Sequence, residues 1–174
     1  MAIDFFTVPS ATFRLLRVLV VLEVASRKIL HFNVTEHPTA QWTSRQIVQA
    51  CDFADLPKRL IRDRDCCYGA AFSRRMTALG IDEIVTAPRS PWQNGYAERV
   101  IGTIKRECTN HLMVVGEQHL RRILGEYRRY YNRSRTHLAL AKDAPEGRSA
   151  EAGQGRVISE PVLGGLHHVY RRAA

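Results

Sequence analysis

"IDEIVTAPRSPWQNGYAERVIGTIKREC", residues 81–108, holds three patterns in one stretch. Ile81 to Ala87 reads as a strand. The loop at 88–95 carries two prolines and a glycine, which punctuate regular structure. From Tyr96 onward Val100, Ile104 and Cys108 recur every four residues, the stripe of an amphipathic helix. A strand feeding a helix through a turn is the repeating unit of α/β folds, and open α/β sheets build their sites at such junctions. Glu98 falls in the first turns of this helix.

Working outward, residues 3–8, 13–25 and 28–34 are three β-branched or aromatic runs joined by short turns, the pattern of an antiparallel meander. Thr39 is placed to cap a helix through Cys51, and "RLI" is a fourth strand ending at Asp63. Phe72, Met76 and Leu79 form another helical stripe that Gly80 closes, leaving residues 81–87 as the fifth strand. A further helix covers about 117–131. The order β-β-β-α-β-α-β-α-α predicts an α/β domain over residues 1–140, with 141–174 as linker and C-terminal tail.

The chain has 174 residues, with 26 basic against 17 acidic, a formal charge of +9 that favours a polyanionic partner. No apolar run approaches the roughly 20 residues of a membrane span, and the N-terminus lacks a signal-peptide pattern. The expectation is a cytoplasmic protein with no membrane partner. The cysteines at 51, 66, 67 and 108 fit no zinc or disulfide spacing and read as reduced thiols.

Three acidic residues fall at strand ends or helix starts: Asp4, Asp63 and Glu98. Carboxylates converging on one point repel unless a cation lies between them, and hard oxygen donors suit Mg²⁺ or Mn²⁺. A basic protein with an acidic metal cluster is an economy suited to phosphoryl transfer on nucleic acid.

The segments "DFFTV" (4–8), "IRDRDCCYGAAF" (61–72), "TAPRSPWQNGYAERVIGTIKRE" (86–107) and "YYNRSRTHLAL" (130–140) resemble the catalytic core of DDE transposases and retroviral-type integrases, specifically bacterial insertion-sequence transposases. The resemblance implies an RNase H-like fold, a five-stranded mixed sheet flanked by helices. It implies metal-dependent DNA cleavage and strand transfer by Asp4, Asp63 and Glu98 with two Mg²⁺ or Mn²⁺ ions. DNA is the implied partner, with a homo-oligomer assembled on paired DNA ends. In the family the second aspartate has an aromatic five positions on; from Asp63 that is Tyr68, from Asp65 it is Ala70, so Asp63 is preferred and Asp65 is the reserve. Family members often carry glycine in the turn that follows, so Cys66 and Cys67 predict a strained or altered turn.

Around this core, Lys105 and Arg106 on the helix, Gln93 and Asn94 in the loop, and Arg128 and Arg129 in the basic, tyrosine-interleaved run 121–137 are candidate DNA contacts. Trp92 reads first as a loop anchor in the core and second as a base-stacking group. Only three residues precede Asp4, so the chain is expected to lack the helix-turn-helix reader usual in such transposases and to have a clipped first strand, which fits either a truncated or decaying element or a core working with a separately encoded helix-turn-helix subunit. The alternative function is a catalytically inactive DNA-binding remnant.

Overall fold

The structure is a computed structural model that describes residues 1–51, 56–148 and 155–173. It divides into two compact units, Met1–Arg121 and Arg122–Ala174.

In the first unit β1 (Ala2–Pro9), β2 (Leu15–Leu22) and β3 (Ile29–Thr35) form an antiparallel meander. The chain passes through α1 (Ala40–Ala50) to β4 (Arg59–Arg62), which runs parallel to β1, then through α2 (Ala70–Ala78) to β5 (Asp82–Val85), parallel to β4. The sheet order is β3-β2-β1-β4-β5, the five-stranded mixed sheet expected from the sequence. Helix α3 (Gly95–Glu107) follows.

The strand β2 sits inside the sheet, and Val18 to Leu22 are all fully buried. That is why its sequence is a continuous apolar run rather than an alternating one. On one face Ile3, Leu19, Val21 and Leu60 pack with Ile47 of α1 and with Phe72 and Met76 of α2. Each such side chain contributes about 1.5–3 kcal/mol by leaving water. Phe6, on the opposite pleat of β1 from Ile3, meets Lys105 of α3 at 5.8 Å, so α3 serves the other face. Asp4 shares the pleat of Phe6 and therefore faces the α3 side.

Local signals account for the element ends. The Thr39 hydroxyl accepts from the Trp42 N–H at 3.1 Å, capping α1. Gly80 closes α2 at φ +70°, a conformation that favours glycine. The second strand is shorter than the expected 13–25. At its start Phe13 takes φ +60° in a turn where the Ser10 hydroxyl accepts from the Arg14 N–H; at its end the Glu23 N–H bonds the Lys28 carbonyl.

Helix α4 (Glu117–Arg133) bridges into the second unit and buries Leu120, Ile123, Leu124, Tyr127 and Tyr131, one helical stripe. In the C-terminal tail β6 (Val157–Val162) and β7 (His167–Arg172) form an antiparallel hairpin turning at Gly164 and Gly165, both at positive φ. Most of β6 is exposed and it contains Pro161, which hides a strand from a search for alternating burial. The expected linker residues 149–154 lie outside the described residues. Among the described residues no helix is long and apolar enough to cross a membrane.

Candidate active site

Asp4 is the third residue of β1, paired with Val20, and its Oδ1 accepts the Phe5 N–H at 2.7 Å. Asp63 follows the last residue of β4. The preceding Arg62 is buried, pairs with Glu83 of β5 at 2.5 Å and donates to the Asp63 carbonyl at 2.9 Å. That buried pair ties β4 to β5 and fixes the backbone from which Asp63 projects. Glu98 is in the first turn of α3, where the helix dipole favours an anion.

These three elements bring Asp4, Asp63 and Glu98 to one cleft of about 420 Å³, with Asp65, Thr86 and Asn94 also on its walls. An adjoining groove of about 510 Å³ shares Asp4, Asp65 and Glu98 and runs on past Gly102 to Arg17 and Lys105. The electrostatic consequence falls on Asp4. Burial, and then repulsion from Asp63, Glu98 and Asp65, push its carboxyl up to about 7 against the opposing Phe5 hydrogen bond.

The two aspartates of "DRD" do different work. The Asp63 Oδ1 accepts the Asp65 N–H at 3.1 Å. Asp65 is engaged at both oxygens: Oδ2 accepts from the Arg17 guanidinium at 2.5 Å, and Oδ1 accepts the Cys67 N–H at 2.9 Å. Burial alone would raise the Asp65 carboxyl, but the Cys67 hydrogen bonds and Arg17 outweigh it and hold it below its ordinary value.

Those two carboxylate-to-backbone bonds are consecutive Asx turns, and the Tyr68 N–H closes onto the Asp65 carbonyl at 3.0 Å. Side-chain hydrogen bonds thus shape a turn that glycine makes elsewhere, and Cys66 and Cys67 both keep negative φ. The strain expected of this turn is not found. Asp65, Cys66 and Cys67 bring one potential ligand atom each within 4.8 Å of one another. Asp65 is committed to Arg17, however, and burial followed by Asp65 pushes the Cys67 thiol up to about 12, so it stays protonated at neutral pH.

The loop before α3 is held at both ends. The Gln93 Oε1 accepts the Ala87 N–H at 2.7 Å, and the buried Asn94 donates through Nδ2 to the Ile3 carbonyl at 3.0 Å, one residue before Asp4. The Asn94 Oδ1 is buried with no hydrogen-bond partner on the protein. Trp92 is 72% exposed, which corrects its first reading as a core anchor: the loop is fastened by its amides, not by the indole. Lys105 is half-buried on the groove wall, and Arg106 is exposed. On α4 Arg128 is half-buried and Arg129 exposed. A larger cavity of about 1130 Å³ lies within the second unit, where Arg133, Arg148 and Arg171 already pair with Glu146, Asp143 and Glu160.

Arg17 and Arg62 are the site-shaping residues that sequence reading missed. Arg17 lies 48 positions from Asp65, and the sheet order β2-β1-β4 brings them together, so no local motif marks it.

A mixed five-stranded sheet in this order, with helices packed on it, defines an RNase H-like α/β domain. The catalytic core domain of BIV integrase has this fold: TM-score 0.61, 17% identity, 83% of this chain and 90% of that one. So does a chain of the simian T-cell lymphotropic virus intasome in complex with PP2A regulatory subunit B56 gamma: TM-score 0.69, 14% identity, 98% and 65%. Residues 79–145 match the integrase core domain family model. The chain is 29% identical over 138 residues to the Escherichia coli transposase InsD for insertion element IS2A/D/F/H/I/K, covering 75% of this chain and 46% of that protein. It is 26% identical over 145 residues to an uncharacterized 39.2 kDa protein of insertion element IS476 from Xanthomonas euvesicatoria, covering 83% and 42%. The integrase-core recognition made on the sequence is borne out. The chain spans less than half the length of these two relatives.

Proposed function

We propose that this chain is a polynucleotidyl-transferase core of the DDE type, cutting and joining DNA in an insertion-sequence transposition reaction. The observation that supports it best is the meeting of Asp4, Asp63 and Glu98 in one cleft. The donor set fits a hard divalent cation such as Mg²⁺ or Mn²⁺: it is all oxygen, and burial first and the neighbouring carboxylates second push Asp4 up to about 7. The orphaned Asn94 Oδ1 adds an acceptor in need of a donor, which a coordinated water can supply.

Asp4, Asp63 and Glu98 would hold two ions, which supply Lewis-acid activation of a water or 3′-hydroxyl and stabilise the departing 3′-oxygen. Asp4 would hold the ions as a carboxylate, so a bound cation would have to offset the burial, and after it the repulsion from Asp63, Glu98 and Asp65, that raise its carboxyl to about 7. Asn94, fastened to the Ile3 carbonyl, keeps the start of α3, and so Glu98, at a fixed distance from β1. Lys105, along the groove from Asp4 and Glu98, is placed to meet a phosphate of the bound strand. Gln93, Arg106, Trp92, Arg128 and Arg129 are the further proposed contacts, the first holding the loop and the others exposed or half-exposed to a strand passing by.

The core is expected to act as a homo-oligomer on paired DNA ends, with residues 1–140 as its catalytic part. The test is cleavage and joining of oligonucleotides carrying candidate element ends, with Mg²⁺ or Mn²⁺, for wild type against Glu98→Gln. Metal-dependent products lost in the variant support the proposal; salt-sensitive DNA binding with no products in either protein supports the inactive remnant.

A further inference from the structure

Four carboxylates line the cleft and its groove, and the chemistry above uses three. The fourth, Asp65, is two residues from Asp63 and lines both the cleft and the adjoining groove beside Asp4 and Glu98. What separates the two aspartates is their partners. The Asp63 carboxylate carries one backbone hydrogen bond at Oδ1, whereas Asp65 has the Cys67 N–H at one oxygen and Arg17 at the other.

Arg17 is itself fixed. It projects from β2 opposite Thr7 of β1, lies over the Phe5 ring at 5.0 Å, and reaches the Cys67 Sγ at 3.7 Å with the same nitrogen that binds Asp65. Its guanidinium cannot lose its charge at any working pH, so the pair persists for as long as the Asp65 carboxyl, held below its ordinary value, stays ionised. The side chains of Arg17 and Asp65 are 26% and 21% exposed, screened enough for the pair to hold geometry that a surface pair does not.

We infer that Arg17 is a positioning residue of the metal site: by holding Asp65 in an ion pair it keeps that carboxylate out of the ligand set and leaves Asp63 as the second aspartate. The inference rests on the metal-site reading proposed above. The arrangement explains how a sequence with aspartates at both 63 and 65 can still present a defined ligand geometry.

The experiment is Mn²⁺ binding to the 174-residue chain by calorimetry, with the spectrum of bound Mn²⁺ as a second readout and circular dichroism confirming folding. Asp63→Asn is expected to weaken binding by about tenfold or more, and Asp65→Asn to leave it within about twofold. Combining Arg17→Met with Asp63→Asn frees Asp65 to substitute, so affinity should recover several-fold over Asp63→Asn alone. Arg17→Lys, which keeps the ion pair, should give no such recovery, an outcome a merely structural role for Arg17 would not produce. Asp65→Asn weakening Mn²⁺ as much as Asp63→Asn, or a folded double variant binding no better than Asp63→Asn, overturns the inference. Unchanged Mn²⁺ binding in both Asp63→Asn and Glu98→Gln overturns the metal site itself, and the role of Arg17 with it.

Discussion

Replacing Asp4 by asparagine should stabilise the metal-free protein, and by an amount that grows with pH. The native carboxyl sits near 7 and the unfolded one near 3.8, a difference of about 3 units. Below 3.8 both states are protonated and the residue adds no pH dependence. As pH rises the unfolded chain releases its proton first, so the contribution of neutral Asp4 to stability is lost progressively until the native carboxyl ionises near 7. At about 1.4 kcal/mol per unit the full loss is about 4 kcal/mol, or about 2–4 kcal/mol after discounting partial solvent screening. Asparagine never ionises, and its Oδ1 can still accept the Phe5 N–H. In EDTA, thermal or urea unfolding should show Asp4→Asn level with wild type near pH 4 and more stable by about 2–4 kcal/mol at pH 8, roughly 4–16 °C in Tm. Adding Mn²⁺ at pH 8 should raise the wild-type Tm and leave the variant nearly unmoved. A stability difference that does not change between pH 4 and pH 8, or a variant less stable at pH 8, would refute the argument that burial and neighbouring carboxylates raise the Asp4 carboxyl.

Removing the cation of the buried Arg62–Glu83 pair by Arg62→Met should cost about 3 kcal/mol, read by denaturant unfolding, because Glu83 is left charged and unpaired between strands. Thr39→Ala, which removes the cap of α1, should cost about 1 kcal/mol in the same assay. Trp92→Ala should leave stability within about 0.5 kcal/mol, since its indole is exposed, yet weaken binding of a single-stranded oligonucleotide several-fold in fluorescence anisotropy. Loss of folding in that variant would return Trp92 to the role of anchor.

The order of strands and helices was legible because each element carries its own local signal. The stripe Phe72–Met76 and the glycine after it mark α2, Thr39 marks the start of α1, and the unbroken run Val18–Leu22 marks a strand covered on both faces. Asp4, Asp63 and Glu98 could be nominated because strand ends and helix starts are where an α/β sheet gathers polar groups. The hairpin at 157–172 was missed because an exposed two-stranded ribbon containing proline has no burial pattern to read. The Arg17–Asp65 pair and the buried Arg62 were missed for another reason. Which of many arginines meets which carboxylate depends on strand register, and register is a property of the folded sheet. The turn at Cys66 shows the converse limit: sequence pointed to strain at a missing glycine, while two aspartate side chains shape the turn without any positive φ.

The most direct test of the central claim is a gel assay of DNA-end cleavage and joining with Mg²⁺ or Mn²⁺, wild type beside Glu98→Gln. The proposed site of Asp4, Asp63 and Glu98 predicts metal-dependent products from wild type and none from Glu98→Gln at equal DNA binding. Products that persist in the variant would contradict it.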